Sequence, residues 1–208
     1  MTSITFLRHG QARNNVERTL TGRRPGVPLT EYGEEQARYA ARLLASMDIA
    51  AIYSSPVQRA MQTARIVAEH NSLDVVHDDR LIEIDMGGFT GMKYDDLMAK
   101  HGNVFLRFYQ DDAEFAGLGV ETFSSVRARV REMVEYVMER HRGQNTVLVT
   151  HMDPIKAMLS TVLDISSDSL HRIIIANGSL NVFPVDEEGR VSLGTVNAMD
   201  PSRLTRLW

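Results

Sequence analysis

Cysteine is missing from the 208 residues, and with it any disulfide framework, thiolate metal site or cysteine nucleophile. The same lack fits a reducing compartment. No apolar stretch approaches the roughly 18 residues needed to span a bilayer, and the amino terminus has no basic segment leading into an apolar one. Neither a transmembrane helix nor a signal peptide is therefore expected. Surplus positive charge is absent as well. Lys and Arg number 23 against 27 Asp and Glu, for a net charge of -4, so a broad cationic face for nucleic acid or anionic lipid is not expected. Any positive potential must be local. These absences predict a cytoplasmic protein that binds neither nucleic acid nor membrane. Repeats and low-complexity tracts are lacking too.

What is present reads as one α/β domain over residues 1–208, with 43% hydrophobic residues to build its core. Short apolar runs at Ile4 to Leu7, Ala50 to Tyr53 and Thr146 to Val149 have the length and composition of buried strands. Between them lie helical periodicities. One runs through Glu34, Gln36, Ala37, Ala40, Leu43 and Leu44 behind Thr30, whose hydroxyl is placed to cap it. Another covers Ala60 to Ala68, with Pro56 tolerated in its first turn. Further helices are read at Thr122 to Arg140 and Pro154 to Leu163. Arg172 to Ala176, Leu180 to Pro184 and Val191 to Thr195 read as strands around an Asn177-Gly178 turn, a hairpin edge of the same sheet. This alternation predicts a three-layer α/β/α fold with a mostly parallel sheet and helices on both faces. Thr90 to Gly119 breaks it, mixing charge with Tyr94, Leu97, Phe105, Phe108, Tyr109 and Phe115. It reads as an inserted helical cap, about residues 90–120, forming a wall or lid over a pocket.

The residues suited to chemistry fall at strand ends. Arg8 and His9 follow the first strand, Arg59 lies in the first helical turn after the second, and His151 separates the Thr146 to Val149 strand from the next helix. In a parallel sheet such positions converge on one edge. A guanidinium there is a fixed phosphate clamp and an imidazole a nucleophile. Glu83, flanked by Ile82 and Ile84 beside a partly buried pocket, is placed to have its proton affinity raised, as a general acid requires. Asp85, on the same face of an extended strand, is its rival.

The stretch Leu7-Arg8-His9-Gly10 resembles the signature of the histidine phosphatase superfamily, the phosphoglycerate mutase-like enzymes. Three further segments are similar to that family in order: Tyr53 to Ala64 with Arg59, Leu81 to Gly91 with Glu83, and Val147 to His151. The resemblance implies that His9 takes the phosphoryl group, that Arg8, Arg59 and a protonated His151 neutralise its oxygens, and that Glu83 protonates the leaving alcohol. It also implies no metal and no cofactor. Asn15, Gln11 and Gly10 would contact phosphate, and Thr21-Gly22 resembles a substrate-side loop. Arg23 and Arg24 are either distal anion contacts or solvated surface cations. Met152 stands where the family usually has glycine, which narrows the pocket and changes the approach of the 152 amide. Phe89 and Thr90 replace the usual tryptophan and glutamate.

Mutases of this family carry a tyrosine three residues after the acid and an arginine pair in the insertion. Here Met86 takes the first place, and Thr90 to Ser125 contains only Lys93, Lys100 and Arg107 as cations. The resemblance therefore implies a metal-independent phosphomonoester hydrolase working through a phosphohistidine on a small phosphorylated metabolite. A cofactor-dependent phosphoglycerate mutase and a non-catalytic phosphate- or partner-binding module are the alternatives. A homodimer stays open.

Overall fold

The computed structural model of the protein describes residues 2–199. In chain order its elements are β1 (Thr2–Arg8), α1 (Arg13–Glu17), α2 (Glu31–Leu44), β2 (Ile49–Ser54), α3 (Gln58–Asn71), β3 (Val75–His77), α4 (Tyr94–His101), α5 (Val104–Tyr109), α6 (Ala113–Gly117), α7 (Phe123–Arg140), β4 (Asn145–Thr150), α8 (Met152–Leu163), α9 (Ser167–Leu170), β5 (Leu180–Val185) and β6 (Thr195–Ala198). One sheet takes the order β3-β2-β4-β1-β5-β6. The strands from β3 to β1 run parallel, whereas β5 and β6 are antiparallel additions.

Alternation along the central strands sorts their side chains between two layers. Phe6 and Leu148 enter one apolar cluster, with Phe123, Val126, Val130 and Val137 of α7 and Ile155 and Leu159 of α8. Leu7, Val147 and Val149 enter the other, with Ala40, Ala41 and Leu44 of α2 and Ala60, Ala64 and Val67 of α3. Helices therefore cover both faces, and central strands buried on both sides can be almost wholly apolar. The Thr30 hydroxyl accepts from the Gly33 amide at the start of α2, and Thr122 does the same for Ser125 at the start of α7. Three short helices, α4 to α6, occupy the stretch expected to form a cap. No helix among the described residues is long and apolar enough to cross a membrane.

Several expectations need correction. Arg172 to Ala176 is not a strand, so no hairpin turns at Asn177-Gly178. Its β-branched run has its hydrogen-bonding groups taken by side chains: the Arg8 guanidinium donates to the Ile175 carbonyl, and Asn197 donates to Ile174 and accepts from the Ala176 amide. The last strand begins at Thr195, and Val191 makes only an isolated bridge to Val185. Pro56 precedes Val57, the cap of α3, and so lies outside the helix. Ile82 to Met86 forms no strand. Gly10 does not have a positive φ. Its constraint is close approach, since a Cβ there would stand 2.1 Å from the Gly33 carbonyl oxygen.

Candidate active site

Register brings the two histidines together. Arg8 pairs with Thr150 across the β1–β4 ladder, and the His9 amide donates to the Thr150 carbonyl at 2.9 Å. One step past the ladder, the rings of His9 and His151 meet edge to face with centroids 5.1 Å apart. From the neighbouring β2, Ser55 bonds back to the Val149 carbonyl, and its hydroxyl lies 2.7 Å from His151 Nε2. Helix α3 then carries Arg59 into the same place, 2% exposed. Distant segments thus meet at the carboxyl edge of adjacent parallel strands, where open sheets of this kind bind ligands.

His9 Nδ1 lies 2.7 Å from the Gly10 carbonyl oxygen, which must accept. The proton therefore belongs on Nδ1, and the lone pair on Nε2 accepts from Arg59 Nε at 3.1 Å. Burial, reinforced by the Arg59 and Arg8 charges, holds the His9 pKa well below the ordinary histidine value. The ring is thus neutral, with its Nε2 lone pair held by Arg59. Burial does the same to His151, again with help from Arg59. The charged form expected of His151 is thus disfavoured until an anion offsets the cations around it.

Glu83 is 8% exposed, and its carboxylate accepts from the Ile84 amide at 2.9 Å. Burial, followed by the nearby Asp153 charge, pushes its pKa up to about 8. It therefore holds a proton at neutral pH. Asp85 is no rival. Its carboxylate turns to the Gly87 amide and faces Arg23 at 3.7 Å, outside the pocket. Arg23 is neither a distal anion contact nor a solvated cation: it donates to the Glu83 carbonyl at 2.9 Å and pairs with Glu121 at 2.8 Å. Arg129 joins Glu121 and donates to the Arg80 and Ile82 carbonyls. This frame fixes the irregular loop that carries Glu83.

Arg8, His9, Asn15, Thr21, Gly22, Arg59, Glu83 and Met152 all line one pocket of about 30 Å³. Asn15 uses its oxygen on the Ala12 amide, which leaves its NH2 for other partners. Gly22 has φ +44°, and its carbonyl accepts from Arg59 at 2.9 Å. Met152 opens α8 immediately after His151. Gln11 is not brought in, because its side-chain oxygen accepts from Thr30 at 2.9 Å. Gly10 packs behind the pocket against α2 and bonds Thr63 through its amide. Tyr94 and Phe105, expected in the wall of a pocket, line it, and so does Asp153, which was not singled out from sequence. Its only signal was an acidic side chain two places past His151.

Arg8 Nε, Arg59 Nη1, Thr21 Oγ1 and His151 Nδ1 are buried without hydrogen-bond partners among the described residues. Unpaired buried polar groups are costly. Arg8, Arg59 and Thr21 line the pocket with His9 and Glu83, and His151 packs its ring against His9, an arrangement able to bind a tetrahedral oxyanion and protonate a leaving oxygen.

A family model for the histidine phosphatase superfamily (branch 1) matches residues 4–198. Phosphoserine phosphatase 1 of Hydrogenobacter thermophilus is 32% identical over 196 residues, covering 93% of this chain and 91% of that protein. A 2,3-bisphosphoglycerate-dependent phosphoglycerate mutase of Thermoplasma acidophilum is 35% identical over 200 residues, covering 95% and 94%. Among solved structures, a mycobacterial glucosyl-3-phosphoglycerate phosphatase in complex with VO3 superposes with a TM-score of 0.83 at 28% identity, covering 95% of this chain and all of that one. With nearly its whole length matched by that family's model, the chain belongs to the histidine phosphatase superfamily.

Proposed function

We propose that the protein is a metal-independent phosphomonoester hydrolase acting on a small phosphorylated metabolite through a phosphohistidine. The observation that carries this reading is the set of unpartnered buried polar atoms on Arg8, Arg59 and Thr21, residues that line one pocket with a neutral His9 and a protonated Glu83. Entry of the phosphate draws Arg59 from His9 Nε2 onto a phosphate oxygen, which exposes the lone pair. Nε2 then forms the N–P bond as the P–O bond to the alcohol breaks, and Glu83 gives its proton to the departing oxygen. Arg8, Arg59 and the Asn15 NH2 hold the equatorial oxygens. In the second half, Glu83, now a carboxylate, takes a proton from water as the water oxygen attacks phosphorus. The N–P bond breaks, and His9 returns to its neutral form with Nδ1 still bonded to Gly10.

The Thermoplasma relative supports a mutase as the second reading. Against it, Met86 lines the pocket where mutases of the family have tyrosine. Arg107, a cation of the cap, is also engaged by Asp112 and Glu114, both at 2.7 Å. Purified protein given an aryl phosphate without added metal is expected to release phosphate, with activity lost in His9→Ala and an acid-labile phosphoenzyme trapped in the wild type. Release undiminished in His9→Ala would overturn the reading. Turnover of monophosphoglycerates only with a bisphosphorylated activator would identify a mutase, and phosphate binding without turnover would identify a binding module.

A further inference from the structure

Beside the phosphate pocket lies a second chamber of about 450 Å³, a volume within the range of sites for drug-sized ligands. It shares Arg8, Asn15, Tyr94, Phe105 and Met152 with that pocket, so an ester seated on His9 would extend its alcohol into this space. Its body is apolar. Phe105 and Met98 of the cap face Ile173 and Ile174 of the segment before β5, with Met152 at the junction.

Its charge is one-sided. Arg8, Arg18, Lys156 and Arg172 line it, and no carboxylate does, in a chain whose net charge is -4. Arg18 is committed to Asp95 at 2.9 Å. Lys156 and Arg172 are not committed in that way. Lys156 is 3% exposed, and its ammonium donates to the Tyr109 hydroxyl at 3.0 Å, leaving two of its three donors without a hydrogen bond among the described residues, with Asp153 near enough to favour its charge. The Arg172 guanidinium is exposed and makes no hydrogen bond or ion pair with any described residue. These cations escape notice in the cap sequence because they belong to α8 and to the segment after α9.

We propose that this chamber selects phosphomonoesters whose alcohol has an apolar body ending in a carboxylate, with Lys156 and Arg172 as the carboxylate's partners. The inference rests on the hydrolase reading and narrows it to a substrate class. An uncharged apolar alcohol would fill the same volume but leave the two remaining Lys156 donors and the Arg172 guanidinium without acceptors, which favours the charged ligand.

Three esters on one aromatic scaffold test it: 3-(4-phosphonooxyphenyl)propanoate, its primary amide, and the corresponding amine, 4-phosphonooxyphenethylamine. The expected kcat/KM for the carboxylate exceeds that for the amide by about tenfold or more, with the amine lowest, as one charge-assisted contact would give. Arg172→Gln, a change at an exposed side chain, is expected to pull the carboxylate-to-amide ratio down several-fold, chiefly through KM. Equal kcat/KM for carboxylate and amide in the wild type, or a ratio unmoved by Arg172→Gln, overturns the chamber assignment while leaving the hydrolase reading intact. Failure to hydrolyse any of the three would count against both.

Discussion

Glu83 and His9 are perturbed in opposite senses, and each is perturbed toward the form the proposed hydrolysis needs. Burial disfavours the carboxylate of one and the imidazolium of the other, so a single desolvated pocket would prepare both the acid and the nucleophile of that reaction. For an alkyl phosphate, whose leaving group needs the proton, kcat/KM is expected to fall above about pH 8, the value to which Glu83 is raised. Glu83→Gln should remove that alkaline limb and slow turnover by about 10² to 10⁴. A pH–rate profile of both proteins checks this, and an alkaline limb persisting in the variant would reassign the acid. The same shift predicts a stability effect. A carboxyl with its folded pKa raised contributes stability below its unfolded value, and the contribution is lost as pH rises through about 8. Glu83→Gln should therefore raise Tm more at pH 9 than at pH 5 in thermal melts. Gly10 makes a different demand. Because its Cβ would sit 2.1 Å from the Gly33 carbonyl oxygen, Gly10→Ala must push α2 away from the loop after β1. A loss of about 3 kcal/mol in urea denaturation is expected.

At the scale of elements, the strands and helices most legible in sequence are those whose apolar residues need only one partner layer to explain them. Helix α7 is the clearest: Phe123, Val126, Val130, Met133, Val134 and Val137 recur at helical spacing behind a threonine cap, and the same residues are buried in the structure. The elements that escape sequence reading depend on tertiary partners. Val75–His77 is a strand of three residues, partly exposed and paired only with β2, too short for any period to register. The Ile173 to Ile175 run has every local mark of a strand but spends its carbonyls on Arg8 and Asn197. At the candidate site, the strand-end placement of His9, Arg59 and His151 was readable because parallel topology converts position in sequence into position on an edge. The frame of Arg23, Glu121 and Arg129 around Glu83 was not, since no spacing rule connects those residues. One such tertiary tie joins α5 to α8: Tyr109 of α5 donates to Asp153 of α8 at 2.7 Å and accepts from Lys156. Tyr109→Phe leaves both partners buried and should cost about 1 to 3 kcal/mol. Faster amide exchange over residues 104–109, measured by mass spectrometry, would place the loss in α5, and unchanged exchange would argue against this tie.

Across the whole molecule, β1 is the strand on which the assembly depends. It is flanked by β4 on one side and β5 on the other, and the last of these also pins its end. The Arg8 amide donates to Ser179, the Gly178 amide reaches the Arg8 and His9 carbonyls, and Asn181 bonds Phe6. Phe183 completes the packing with its ring centroid 5.5 Å from that of Phe6. A chain ending at Leu163 would keep Arg8, His9, Arg59, Glu83 and His151 yet leave β1 as a bare edge. It is expected to lack the near-ultraviolet circular dichroism of a packed core, and a native-like spectrum from that fragment would contradict the dependence.

Pairing between the opening strand and residues near the far end of the sequence also bears on how the protein is made. Contacts this remote in sequence close late and slow folding. During synthesis His9 leaves the ribosome long before β5, the strand that flanks β1, so a growing chain that already contains Arg8, His9, Arg59, Glu83 and His151 still lacks the neighbour that holds their strand in place. For that interval its apolar strands have no finished sheet to join, and it is then that a holding chaperone would matter most.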